Sequence, residues 1–81
     1  MIDPNKVKSK INYFLINEFE MDPNSLNPKA KLIEDLGLDS LDFVDVVVEV
    51  EEKFGVKLDG NDFINVSTLD DFYNLIIEKL K

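Results

Sequence analysis

The chain has 81 residues, a formal net charge of -8, no cysteine and no histidine. A chain of this size buries only about 60–65% of the surface its unfolded form exposes, so one small core is expected and a deep enclosed active site is not. Without cysteine or histidine there are no disulfides, thiol nucleophiles or thiolate metal sites, and the side chain best suited to proton transfer near neutral pH is missing. The unmodified chain is therefore not read as an enzyme, and no metal site is expected. No apolar stretch approaches the roughly 20 residues of a membrane span, and Met1-Ile2-Asp3-Pro4 lacks a basic segment followed by an apolar run. The expectation is a monomeric cytoplasmic protein with a single domain over residues 1–81.

In chain order, Asp3-Pro4 reads as an N-cap followed by proline at the first helical position. Val7, Ile11, Phe14 and Leu15 then recur at helical spacing, predicting a first helix that ends near Phe19. Asp22-Pro23-Asn24-Ser25 and Asn27-Pro28 gather turn formers into a long connection, which Leu26, Leu32, Ile33 and Leu36 are expected to anchor to the core. Gly37 breaks the chain, Asp39 is a good N-cap, and residues 40–54 run without glycine or proline until Gly55, predicting a second helix. The β-branched Val44, Val46, Val47, Val48 and Val50 compete with that reading, but the unbroken run is longer than a usual strand. Asp59-Gly60-Asn61-Asp62-Phe63-Ile64 suits a turn and one short helix. Ser67 or Thr68 caps a last helix, with Asp70 or Asp71 three residues on, that carries Leu69, Phe72, Tyr73, Ile76 and Leu80 inward.

Charge is not spread evenly along these elements. Between Lys31 and Lys53 there is no basic residue, whereas Glu34, Asp35, Asp39, Asp42, Asp45, Glu49, Glu51 and Glu52 all lie there. Such a segment repels nucleic acid and anionic membrane and attracts basic protein surfaces, although an acidic run is also the ordinary dress of a solvated helix face.

The second helix carries two apolar stripes. At about 100° per residue, Phe43, Val46, Val47, Val50 and Phe54 fall within roughly 100° of arc and should face the core. Leu41, Val44 and Val48 lie nearly opposite, flanked by Asp42, Asp45, Glu49 and Glu52 on one side and Glu51 on the other. Two readings of that second stripe stand: the long loop covers it through Leu32 and Leu36, or a partner with a basic-edged apolar groove does.

Asp39-Ser40-Leu41 sits where loop meets helix. Free backbone N–H groups and the helix dipole favour an anion there, commonly by about 0.3–1 kcal/mol. No base is available within the chain to activate Ser40, so another enzyme would have to modify its hydroxyl. The stretch Leu32-Ile33-Glu34-Asp35-Leu36-Gly37-Leu38-Asp39-Ser40-Leu41-Asp42, followed by Val44 and by Glu51-Glu52-Lys53-Phe54-Gly55, resembles the acyl carrier protein family. The resemblance continues through the proline-containing loop before it and Val66-Ser67-Thr68-Leu69-Asp70-Asp71 after it.

This resemblance implies an all-α, four-helix bundle with a long first loop and a short third helix. It implies that a magnesium-dependent phosphopantetheinyl transferase attaches 4′-phosphopantetheine from coenzyme A to Ser40, between Asp39 and Leu41, and that the arm's thiol carries acyl groups in fatty acid or polyketide-like biosynthesis. Asp39 and Asp42 then help the transferase dock, while Leu41, Val44, Asp45, Val48, Glu51 and Glu52 meet acyl-loading, ketosynthase-type and other acyl-processing enzymes. An interior acyl pocket is implied at Phe43, Val47, Val50, Phe54, Leu58, Phe63 and Val66. Phe43 and Phe63 stand where relatives often have small residues, which points to short, rigid or unsaturated chains, and Val48 replaces a frequent Met, which points to a narrower choice of partners.

A peptidyl or aminoacyl carrier is the alternative within this fold, although such domains often read Gly-Gly-His/Asp-Ser-Leu at Gly37–Leu41. An unmodified acidic helical adaptor is the alternative outside it. Calcium binding at Asp59-Gly60-Asn61-Asp62 fails on the position of its glycine and the missing terminal Glu.

Overall fold

The computed structural model describes residues 2–81 and contains three α-helices and two short 3₁₀ turns. Helix α1 runs Pro4–Glu18, α2 Ser40–Phe54 and α3 Leu69–Leu80. The expected short third helix is a single 3₁₀ turn, Gly60–Phe63. Four residues cannot complete the i to i−4 ladder of a longer helix, so the four-helix description holds only when this turn is counted.

Each start of a helix is fixed by a local side chain. Asp3 accepts a hydrogen bond from the Asn5 N–H at 3.0 Å, and Pro4 occupies the first helical position. Asp39 and Thr68 form capping boxes with Asp42 and Asp71 respectively. Such a cap contributes about 1 kcal/mol, because it satisfies N–H groups that the helix itself cannot. The Gly55 backbone ends α2 at φ 68°, a left-handed conformation that costs glycine little, and its N–H returns to the Glu51 carbonyl.

Asp71 does more than cap. Its carboxylate accepts hydrogen bonds from the Ser67 and Thr68 N–H groups, both at 3.1 Å, and these hold its pKa below the usual carboxylate range. Asp62 is lowered in the same direction by the Asp59 N–H and then by Lys79, whose Nζ lies 3.1 Å away.

The core consists of Val7, Ile11, Phe14 and Leu15 from α1, Val46 and Val50 from α2, and Leu69, Phe72, Tyr73 and Ile76 from α3. Leu32, Leu38, Val56 and Leu58 from the connections complete it. Fully burying a side chain such as Ile11 or Ile76 stabilises the fold by roughly 1.5–3 kcal/mol. The Tyr73 hydroxyl donates to Asn12 Oδ1, which ties α3 to α1, while burial pushes the phenol pKa up.

The long first connection is pinned rather than loose. Leu32 N–H bonds Ser67 O, Leu69 N–H bonds Ala30 O, and Asp70 N–H bonds Pro28 O, all at 2.9 Å, so the loop is laced to the start of α3. Leu32 is buried, and Leu26 and Leu36 pack against the core. Ile33 is the correction to the anchoring set: it is 64% exposed, because the turn that points Leu32 inward points its neighbour out.

Candidate functional site

The loop delivers Ser40 to the surface by a short sequence of local constraints. Gly37 adopts φ 73°, and its N–H bonds the Ile33 carbonyl at 3.1 Å. Leu38 is then buried and bonds back to Leu32 O at 3.0 Å, so the chain is anchored immediately before the helix. Asp39 is extended and places its carboxylate 3.0 Å from both the Leu41 and Asp42 N–H groups, while Asp42 Oδ2 accepts from the Asp39 N–H at 3.2 Å. Ser40 follows as the first residue of α2, and it is exposed.

This geometry alters the electrostatic reading of the sequence. Two N–H groups at the start of α2 are already occupied by Asp39, so an anion attached to Ser40 finds the helix dipole and the Ser40 N–H but not a cradle of free amides. Nothing among the described residues hydrogen-bonds the Ser40 hydroxyl, and the chain has no histidine to act as its base. The Ser40 hydroxyl thus stands exposed, with no side chain among the described residues bonded to it that could take its proton.

Around Ser40 the second stripe of α2 is open to solvent. Leu41 is 77% exposed, Val44 61% and Val48 47%. The loop does not cover them, since Leu32 and Leu36 turn toward the core instead. Asp45, Glu51 and Glu52 are exposed beside them; Asp42 is partly enclosed by its capping bond, and Glu49 by an ion pair with Lys53 at 3.7 Å.

Three features of this surface were not read from the sequence. Glu18 and Glu20, at the end of α1, join Asp42, Asp45, Val48 and Glu49 around an open groove of about 430 Å³. Their helix lies far away in the chain, and only packing reveals the juxtaposition. Ile33 and Ile64 are the other exposed aliphatics, Ile64 at 73%. The signal for Ile64 was its adjacency to Phe63, because two neighbouring apolar residues in a tight turn cannot both face one core.

The residues predicted to line an acyl pocket belong to the core or pack against it. Val50 and Leu58 are buried, and Phe43, Val47, Phe54, Phe63 and Val66 are partly buried. The Phe43 and Phe63 rings lie 5.2 Å apart, and Phe63 stacks on Phe72 at 6.2 Å, forming an aromatic column through the interior. A partly open cavity of about 110 Å³ lies beside them, lined by Lys31, Leu32, Ile33, Glu34, Phe43, Val66 and Ser67, so that of the predicted pocket residues only Phe43 and Val66 line it. Phe54 lies apart from it, under the Lys10 ammonium on another face.

A family profile described as a phosphopantetheine attachment site matches residues 15–76. An acyl carrier protein of Thermotoga maritima is 39% identical over 80 residues, covering 99% of each chain. The chain belongs to the acyl carrier protein family. A second carrier of this name, from Solidesulfovibrio magneticus, is 32% identical over 73 residues, covering 90% of this chain and 94% of its own. A crystal structure of an acyl carrier protein from Thermotoga maritima superposes with a TM-score of 0.78 over 95% of this chain and 89% of that one, at 21% identity, and so speaks for the fold. Acyl carrier proteins hold 4′-phosphopantetheine covalently. An exposed hydroxyl at a helix N-terminus, with open surface beside it, fits that group. Among the described residues no helix is long and apolar enough to cross a membrane, and no cluster is suited to hold a metal.

Proposed function

We propose that Ser40 is the residue that bears the 4′-phosphopantetheine arm, and that this carrier works as a single non-enzymatic cytoplasmic domain. The observation that carries the proposal is the exposed Ser40 hydroxyl at the first position of α2, next to the solvent-facing Leu41 and Val44. The arm supplies the thiol that the chain lacks. Asp39 occupies the Leu41 and Asp42 amides in the first turn of α2, and Asp42 accepts from the Asp39 N–H in return, which fixes that turn. The phosphodiester is therefore positioned but not gripped, which leaves the arm free to swing between active sites.

Leu41, Val44 and Val48 form an apolar strip edged by Asp42, Asp45, Glu51 and Glu52, the complement of an apolar groove edged by lysine and arginine on each acyl-processing enzyme. Carboxylates on the rim act mainly on encounter rate and orientation, and the exposed aliphatics on residence. The phosphopantetheinyl transferase meets the same strip through Asp39, Leu41 and Asp42.

The acyl-pocket reading is a short-chain one. Phe43 and Phe63 fill the interior on which a long alkyl chain would draw, and about 110 Å³ is space for on the order of four small heavy groups at about 30 Å³ each. Incubation with coenzyme A, magnesium and a phosphopantetheinyl transferase tests the proposal by intact mass. The wild-type chain gains one arm and Ser40→Ala gains none; an unmodified wild type, or a modified variant, overturns it.

A further inference from the structure

The pole of the bundle opposite Ser40 has a different chemistry. Helix α2 carries the chain about 21 Å from Ser40 to Phe54. There the start of α1 and the ends of α2 and α3 border an open cleft of about 260 Å³. Val7, Phe54 and Leu80 contribute apolar surface to it, and Lys6, Lys10 and Lys53 stand on its rim. Lys10 Nζ lies 5.8 Å from the centre of the Phe54 ring, holding one cation directly over the apolar floor. Lys53 is shared with Glu49, but no ion pair among the described residues involves Lys6 or Lys10. The carboxylate on this rim, Asp3, is engaged with the Asn5 N–H. In a chain of net charge -8 this is a local reversal of sign.

We propose that this cleft binds a medium-chain fatty carboxylate non-covalently, the alkyl chain against Val7, Phe54 and Leu80 and the carboxylate between Lys6 and Lys10. Volume, polarity and charge all favour this ligand. The cleft has room for on the order of eight to nine small heavy groups, close to the lower end of known ligand sites. The floor side chains, Val7, Phe54 and Leu80, carry no polar group to read a sugar or a base, and the polar groups of the cleft are the charged ones of its rim. Lysine provides point charges rather than the fixed fork that arginine presents to a phosphate. An anionic bilayer would be repelled by the carboxylates that dominate the rest of the surface. The site lies at the other end of the molecule from Ser40 and needs no arm, so its failure leaves the carrier role untouched.

Sodium octanoate is the probe, titrated into the isotopically labelled chain before and after arm attachment, with amide chemical shifts as the readout. The expected result is saturable movement of the Val7, Lys10, Phe54 and Leu80 amides in both forms. Octyl glucoside, with the same tail and no charge, binds at least tenfold more weakly. Lys6→Glu with Lys10→Glu weakens octanoate binding at least tenfold, and Lys6→Gln with Lys10→Gln serves if the charge reversals unfold the chain. Equal binding of the two probes, shifts confined to the Leu32 and Phe43 cavity, or binding to anionic vesicles without any response to octanoate overturns the assignment.

Discussion

Phe43→Ala puts the interior of this carrier to a quantitative test. Truncating a fully buried phenylalanine costs about 3–5 kcal/mol. Phe43 is partly buried, and part of its contribution is the ring contact with Phe63 at 5.2 Å, a kind of pair worth about 0.5–1.5 kcal/mol. The expected loss is therefore about 2 kcal/mol, against a total stability on the order of 4–12 kcal/mol for a domain of this length. The variant should fold and melt about 8–16 °C lower, since 1 kcal/mol moves the melting temperature of such a domain by about 4–8 °C. Loading supplies the functional half. A hexadecanoyl chain on the arm of the wild type finds a cavity of about 110 Å³ and stays largely outside. Its effect on the wild-type melting temperature is then less than about 2 °C, whereas the variant, with the ring removed, regains at least about 4 °C on the same loading. Calorimetry of the unloaded and loaded forms reads both quantities. A loss below about 0.5 kcal/mol in Phe43→Ala, or equal stabilisation of the two proteins by the long chain, refutes the reasoning.

Further outcomes follow from the same geometry. Thr68→Ala removes the oxygen that accepts from the Asp71 N–H and should lower stability by about 1 kcal/mol in urea unfolding. The carboxyl of Asp71 is depressed in the folded state, so its stabilisation is present above the ordinary value of 3.8 and disappears as pH falls through the lower folded pKa. Asp71→Asn should accordingly flatten the acid limb of the stability profile below about pH 4, where the wild type declines. Leu41→Ala and Val44→Ala, both at exposed positions, should leave stability within about 0.5 kcal/mol while slowing acyl transfer with partner enzymes. Crowded carboxylates on α2 should make the melting temperature rise on adding salt or magnesium, and a constant value would contradict that repulsion.

Much of this fold was legible because its signals are local. Asp3-Pro4, Asp39 followed by Asp42, Gly55, and Thr68 followed by Asp71 each fix a helix boundary within a few residues, and the boundaries of α2 follow from them directly. The five valines of α2 pull toward strand, but the capping box and the two-stripe pattern prevail, since a strand would have buried a different set of residues. The region around Gly60 was less legible, because a capped turn and a short helix start with the same residues and only the number of following bonds separates them. At the site, the position of Ser40 and the exposure of Leu41, Val44 and Val48 followed from the pattern, with one ambiguity removed by the inward turn of Leu32 and Leu36. The convergence of Glu18 and Glu20 on α2, and of Lys6 and Lys10 on Phe54, depends on how α1 packs, and nothing local in the sequence encodes it.

Trypsin offers the most direct examination of where the arm sits. Cleavage after Lys31 and Lys53 releases residues 32–53, a peptide in which Ser40 is the sole hydroxyl-bearing side chain. After treatment with a transferase and coenzyme A, this peptide should carry the whole of the added mass. If the mass lies on any other peptide, Ser40 is not the attachment residue.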